Sequence, residues 1–169
     1  MDESGFYLLP GVVKTCAPCG NTPILLVFQT RDHLSVMSGI TPRGGLLTMV
    51  RKQAMCGIES VLFLKHLLRR TGKLLLVIWD GSPIHRGREV KGFLAKGGAR
   101  HIHLEQFPGY APELNRAEGV WNQLNFVETR NHCCLDLLDL DYELNVAIVR
   151  LRRKPGVIQS FFAGAGLSL

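Results

Sequence analysis

No apolar run in this 169-residue chain approaches the roughly 18 residues that a membrane-spanning helix needs. The opening, Met1-Asp2-Glu3-Ser4-Gly5, is acidic where a secretory signal is basic and then apolar, so no signal peptide is expected. Cysteine is scarce, with five residues, and an odd number argues against a disulfide scaffold. A reducing, cytoplasmic setting is the expectation. Internal repeats and low-complexity tracts are missing as well. Acidic residues are in deficit: 14 Asp and Glu stand against 20 Lys and Arg, a formal net charge of +6. These absences exclude membrane-spanning, collagenous, disulfide-rich and disordered classes. What is present is a chain of one-domain length, 46% hydrophobic and 20% charged, able to bury a core. Its positive excess points to a polyanion, nucleic acid or an anionic membrane surface.

Short β-type runs come first. Val12–Thr15, Ile24–Thr30, His33–Thr41 and Leu46–Arg51 read as strands, with a turn at Pro42-Arg43-Gly44-Gly45. Gly57 to Arg70 carries apolar residues at mostly three- and four-residue spacing and predicts a helix that Gly72 ends. Lys73 to Asp80 is a nearly continuous apolar run and predicts a strand buried on both faces. Arg86–Lys96 reads as a helix, Arg100–Phe107 as a strand and Pro108–Leu114 as a loop. Asn115–Glu128 and Leu140–Lys154 read as the last two helices. Strands, helix, buried strand, helix, strand and helices in that order suit a mixed three-layer α/β domain.

Asp80 ends an apolar strand and precedes Gly81-Ser82-Pro83. Ligand and catalytic groups of α/β sheets gather at the carboxyl ends of strands. An Asp there is equally able to close a turn with its side chain. Glu118 lies three residues after Asn115, which fits a capping box with Asn at the N-cap. It also fits a carboxylate presented from a first helical turn. By position alone, Asp2 and Glu3 are frayed terminal acids.

The combination resembles a known pattern. LLLVIWDGSPIH (Leu74 to His85) followed by FPGYAPELNRAEGVW (Phe107 to Trp121) is similar to the catalytic core of DDE-superfamily transposases, in the bacterial insertion-sequence branch related to mariner elements. The family shows an apolar strand ending in Asp, a His five residues later, a Pro-x-Tyr-x-Pro loop and Asn-Pro-x-Glu-x-x-Trp. Here these fall on Asp80, His85, Pro108 to Pro112 with Tyr110 at its centre, and Asn115 to Trp121. Between Asp80 and Glu118 lie 37 residues, a spacing typical of this branch. The opening DESGFYLLP resembles the family's first-acid motif, and Leu151 to Leu167 its closing helix and tail.

The resemblance covers the whole chain as one catalytic domain. It implies an RNase H-like α/β fold with a mixed central sheet, and Asp2, Asp80 and Glu118 as catalytic carboxylates. These would hold two divalent ions, Mg²⁺ with Mn²⁺ substituting. Hard ions of this kind prefer oxygen ligands, and a pair of them can activate an attacking hydroxyl and stabilise a leaving oxygen. His85, Asn115 and Tyr110 would support the site. Arg86, Arg88, Lys91, Lys96, Arg100 and Arg116 would meet the DNA backbone, or else be solvated helix faces. The implied partners are double-stranded DNA, at transposon ends and target, and further copies of the chain, with no membrane. Two departures stand out. Arg116 replaces the family's Pro, and only Met1 precedes Asp2, so the first strand is expected to be truncated and the family's N-terminal helix-turn-helix region to be absent.

Two other functions compete. One is a non-catalytic transposase remnant that binds DNA or an intact transposase. The other is a different RNase H-like nuclease, against which the Tyr110 loop and the Asn115 to Trp121 motif argue. Cys16-Ala17-Pro18-Cys19 with His132-Cys133-Cys134 has zinc-like spacing, but one Cys-x-x-Cys without a second pair is weak evidence, and incidental cysteines are the favoured reading. His101, His103 and Glu105 share one face of a strand, read as its outward face. Asp136, Asp139 and Asp141 precede or open the last helix and suit capping.

Overall fold

Side-chain alternation along one strand decides where everything else packs. The computed structural model describes residues 1–9, 11–25, 31–108 and 114–163. In it β1 (Asp2–Tyr7), β2 (His33–Ile40) and β3 (Leu46–Arg51) form an antiparallel sheet in the order β1-β2-β3. Leu34 and Val36 of β2 face one core and Met37 faces another, as the period of two requires. The first core joins Phe6 and Leu46 to α3 (Glu118–Gln123), α4 (Leu137–Arg152) and α5 (Pro155–Ala163) through Val120, Trp121, Leu144, Ile148 and Ile158. The second joins Met37 to α1 (Gly57–Thr71), β4 (Leu75–Trp79), α2 (Arg88–Ala95) and β5 (Ile102–Gln106) through Phe63, Leu64, Val77, Trp79, Val90 and Ile102. Helices thus cover both faces of the three-stranded sheet, the three-layer α/β arrangement expected.

β4 and β5 pair in parallel, with α2 in the crossover between them. They form a separate two-stranded sheet. Among the described residues one backbone bond links the two sheets: the Met1 ammonium donates to the Ile78 carbonyl at 2.8 Å. The expected single mixed sheet is therefore divided in two, because β1 meets β4 through Met1 alone.

Local chemistry explains the element boundaries. Arg69 and Arg70 occupy the last turn of α1, and Gly72 ends it in a left-handed conformation (φ 61°), its N–H donating to the Leu68 carbonyl at 2.9 Å. Gly44 closes the β2–β3 turn at φ +83°, and a Cβ there would lie 2.6 Å from the Pro155 carbonyl oxygen. Asp136 caps α4, its side chain accepting from the N–H groups of Leu138 and Asp139 at 2.8 and 2.9 Å.

Several expectations are corrected. Val12–Thr15 forms no strand. Its backbone is held instead by the Asn131 side chain, which accepts from the Val13 N–H at 2.8 Å and donates to the Val13 carbonyl at 3.0 Å. Ile24 and Leu25 lie outside any strand, and 26–30 lie outside the described residues. β4 is buried on one face only: Val77 and Trp79 are covered while Leu76 and Ile78 are 62% and 41% exposed. α2 starts at Arg88 because Pro83–His85 forms a 3₁₀ turn first. α3 is regular only over Glu118–Gln123, then widens into a π turn through Leu124–Glu128, where both the N–H and the hydroxyl of Thr129 reach back to the Leu124 carbonyl. α4 starts at Leu137, three residues before the expected Leu140.

Burial makes a direct prediction. Leu144 is fully enclosed in the first core, whereas Leu138, on the same helix, is 67% exposed. Leu144→Ala should cost about 2–5 kcal/mol in urea unfolding, and Leu138→Ala less than about 0.5 kcal/mol. Equal losses would contradict the packing described.

Candidate active site

β1 places Asp2 and Glu3 on opposite faces, and each finds a different partner. Asp2 is 5% exposed and accepts from the Trp121 indole N–H at 2.8 Å. Trp121 sits one turn after Glu118 on α3 and packs edge-on against Phe6, with ring centroids 6.0 Å apart. A buried indole needs an acceptor and a buried carboxylate needs a donor, so this bond satisfies both. It fixes the helix that carries Glu118 against the strand that carries Asp2.

The Glu118 carboxylate accepts no hydrogen bond among the described residues. Asn115 does not cap α3, whose N-cap is Ala117 with no side-chain cap; it closes a turn before the helix, its side-chain oxygen accepting from the Ala117 N–H at 3.2 Å and its carbonyl from the Glu118 N–H at 3.1 Å. The expected capping box is missing, which leaves the Glu118 carboxylate free. Desolvation, and then the nearby Asp2 charge, push Glu118 above the usual carboxylate range.

Asp80 follows the last residue of β4 and closes the turn there, as one of the two sequence readings proposed. Its Oδ1 accepts from the Ser82 N–H at 3.1 Å, closing the turn, and lies 2.7 Å from His85 Nδ1. The His85 ring is buried and stacks on Trp79, with centroids 4.3 Å apart and planes 2° from parallel. Its Nε2 faces Glu3 Oε2 at 3.6 Å, and Ser82 Oγ lies 3.4 Å from Glu3 Oε1. Burial alone would lower the His85 pKa. Hydrogen bonding and charge from Glu3, with Asp80, more than offset it and leave it raised. The Met1 ammonium is brought down to about 6 by burial, against the pull of Asp2 and Asp80.

The three predicted acids therefore arrive from three elements at one neighbourhood. Asp2's charge is felt by Glu118, and the Met1 ammonium lies close enough to feel both Asp2 and Asp80. They are not tightly clustered: among the described residues, the set of three donors within 4.8 Å of one another is a different one, His132, Cys134 and Asp139. The donors suit a hard divalent cation. Trp121 occupies one oxygen of Asp2, His85 and Ser82 share one oxygen of Asp80, and both oxygens of Glu118 are unengaged.

Tyr110 lies outside the described residues. Arg86, Arg88, Lys91, Lys96 and Arg100 are exposed, and Arg88 and Lys96 line an open groove of about 550 Å³ with Lys65, Val61 and Phe93. Arg116 is half-buried, and its Nε has no partner among the described residues. His103 and Glu105 are exposed and contact each other at 2.7 Å, which fits an outward face. Cys16 and Cys19 are exposed. Glu3 and the Trp121 N–H were not among the expected site groups. Strand alternation offered a signal for Glu3, and the need of a buried indole for an acceptor offered one for Trp121.

Comparison with known proteins gives a consistent result. A family model described as "DDE superfamily endonuclease" matches residues 1–135. No curated protein matches the chain. Among solved structures, the Mos1 mariner paired-end complex with Mn is similar at a TM-score of 0.64 and 14% identity, covering 99% of this chain and 55% of that one. The corresponding complex with Mg has a TM-score of 0.64, 13% identity and the same two coverages, 99% and 55%. A simian T-cell lymphotropic virus intasome, bound to the PP2A regulatory subunit B56 gamma, is similar at 0.53 and 15% identity, covering 70% of this chain and 42% of that one. The chain thus spans about half the length of the solved chains it matches. At these identities the likeness shows a shared RNase H-like fold.

Two predictions follow from the contacts. Trp121→Phe keeps an aromatic ring but removes the donor to buried Asp2 together with part of the indole's volume, and should cost at least about 1–3 kcal/mol in thermal or urea unfolding. A stability equal to the parent's would mean the bond carries nothing. His85 is raised above its ordinary 6.5, so its stabilising effect is complete below about 6.5 and is lost as pH rises through its folded value. In metal-free protein, Glu3→Gln should lower the His85 pKa in an NMR titration and flatten that loss. An unshifted His85 would refute the coupling.

Proposed function

The chain belongs to the DDE superfamily of endonucleases, whose family model covers residues 1–135, and from that membership we propose that it is a transposase catalytic domain. In this reading Asp2, Asp80 and Glu118 bind divalent metal and cut DNA strands at transposon ends for transfer into a target. The observation that carries it is the Trp121–Asp2 bond, which ties the strand of the first acid to the helix of the third. The same turn that ends β4 supplies the second. Solved relatives with the same fold are described as complexes with Mn, with Mg and with a transposon end, and as a strand transfer complex, which supports metal and DNA as partners here.

Bound divalent metal would supply Lewis acidity that activates a water or 3′-hydroxyl and stabilises the leaving oxygen. The protein's part is to aim oxygens. Asp2 offers one oxygen from a carboxylate that Trp121 cannot let rotate. Asp80 offers one from a carboxylate pinned by Ser82 and His85. Glu118 offers two, at a proton affinity raised first by desolvation and then by the Asp2 charge. His85, braced by Glu3 and the Trp79 ring, positions Asp80. Two ions are the natural number for such a set, and paired transposon ends call for more than one copy of the chain. Arg86, Arg88, Lys91 and Arg116 hold phosphates without reading sequence. Activity on the bacterial chromosome would place the protein in the cytoplasm.

Thermal unfolding with and without Mn²⁺ tests the site. The parent should gain about 2.7 kcal/mol at a hundredfold excess over Kd, and Asp80→Asn and Glu118→Gln should lose the gain together with end cleavage. An Mn²⁺ response unchanged by both substitutions would overturn the assignment. DNA affinity indifferent to metal and to both variants would favour a non-catalytic, DNA-binding role. The basic surface has its own test: Arg88→Ala with Lys91→Ala should weaken binding to all sequences alike and reduce the salt slope by about 2. An unchanged slope would remove those residues from the DNA interface.

A further inference from the structure

We propose that His132, Cys134 and Asp139 form a zinc site at the junction between the π turn after α3 and the start of α4, with none of the three acids above among its donors. A His nitrogen, the Cys134 sulfur and an Asp139 oxygen all lie within 4.8 Å of one another, and no other three such donors do so among the described residues. Glu143 flanks this set without belonging to it: its Oε1 is 4.0 Å from His132 Nε2.

The local backbone explains the convergence. His132 and Cys134 are two apart in the non-helical segment after Asn131, so they project to the same side if the chain is extended there. Asp139 and Glu143 are four apart on α4 and share one helix face. The segment is anchored at its start, where Asn131 stands at φ 55° with its side chain bonded to Val13. It is anchored at its end by Asp139 Oδ2, which accepts from the Leu135 N–H at 3.0 Å and leaves the other oxygen available.

Donor chemistry selects the metal. One thiolate, one imidazole and one carboxylate suit tetrahedral zinc, whereas Mg²⁺ prefers six oxygens. Zinc bonds of about 2.0–2.3 Å place tetrahedral donors closer together than the present separation, within reach of small side-chain rotations. Cys134 is 6% exposed. Cys16 and Cys19 do not join these donors.

The test is a titration of the reduced full chain with Zn²⁺ against a chromophoric chelator, and with Co²⁺ followed by absorption. One equivalent should bind, and Co²⁺ should show a thiolate charge-transfer band. His132→Ala and Cys134→Ser should each weaken binding at least tenfold. The Cys16→Ser, Cys19→Ser double variant and Asp80→Asn should leave it unchanged. His132 is exposed, so His132→Ala remains a valid test if Cys134→Ser fails to fold. Binding that survives His132→Ala, that disappears with Cys16 and Cys19, or that shows no thiolate band would overturn the site.

Discussion

The hydrogen bond from Trp121 to Asp2 spans 119 positions of sequence and joins the two elements on which the acids depend. An ionised carboxylate 5% exposed is costly to bury unless it is paired or well hydrogen-bonded. Truncation of the donor would leave the charge buried and unmatched, so strand and helix are held in one register by the penalty of separating them. The indole also belongs to the first core, with Phe6 against its edge. Apolar packing therefore fixes the donor, and the donor fixes the acid. A carboxylate held this way presents a defined oxygen, which mobile acids at a strand end would not.

The second acid is fixed by different means. Asp80 has no indole, but it stands where β4 stops and a tight turn begins. The Ser82 N–H and the buried His85 ring share its Oδ1. Trp79, the residue just before it, supplies the flat surface on which His85 stacks. Trp79 belongs to the second core, so each of the two cores anchors one acid. The three-stranded sheet between them keeps those anchors at a fixed separation. Only the Glu118 carboxylate is left without a bonded partner among the described residues, and desolvation, then the Asp2 charge, raise its proton affinity.

Much of this was legible in the chain. Leu46–Arg51 and the Gly57 helix fall where periodicity put them, and Asp80 lies at the end of its strand as an isolated acid after apolar residues should. The failures have physical causes. Val12–Thr15 has the composition of a strand, but its hydrogen bonds go to Asn131, which lies 118 residues beyond Val13 and which no local pattern reveals. The run Leu74 to Trp79 looked buried on both faces because composition does not say which face a neighbour covers. Leu74, Leu76 and Ile78 are in fact exposed. Glu3 was passed over beside Asp2, although alternation alone requires adjacent strand residues to serve opposite faces. The pairing of Asp2 with Trp121 was hidden for the same reason as that of Val13 with Asn131: satisfying buried polar groups is a long-range property.

The two proposed sites would separate two kinds of metal chemistry along one chain. The acids at the strand ends offer oxygen alone, and they stand further apart than the 4.8 Å that encloses His132, Cys134 and Asp139. An open, all-oxygen set favours hard ions that retain water and exchange readily, as a phosphoryl-transfer site requires. The compact set with nitrogen and sulfur favours a borderline ion held for structure. Because that set sits on the segment joining α3 to α4, a metal there would stiffen the helix junction behind Glu118 without competing for its carboxylate. Affinity order alone would let zinc displace magnesium from any site. Hardness, spacing and openness are what would let the two proposed donor sets keep a static ion and a working one apart.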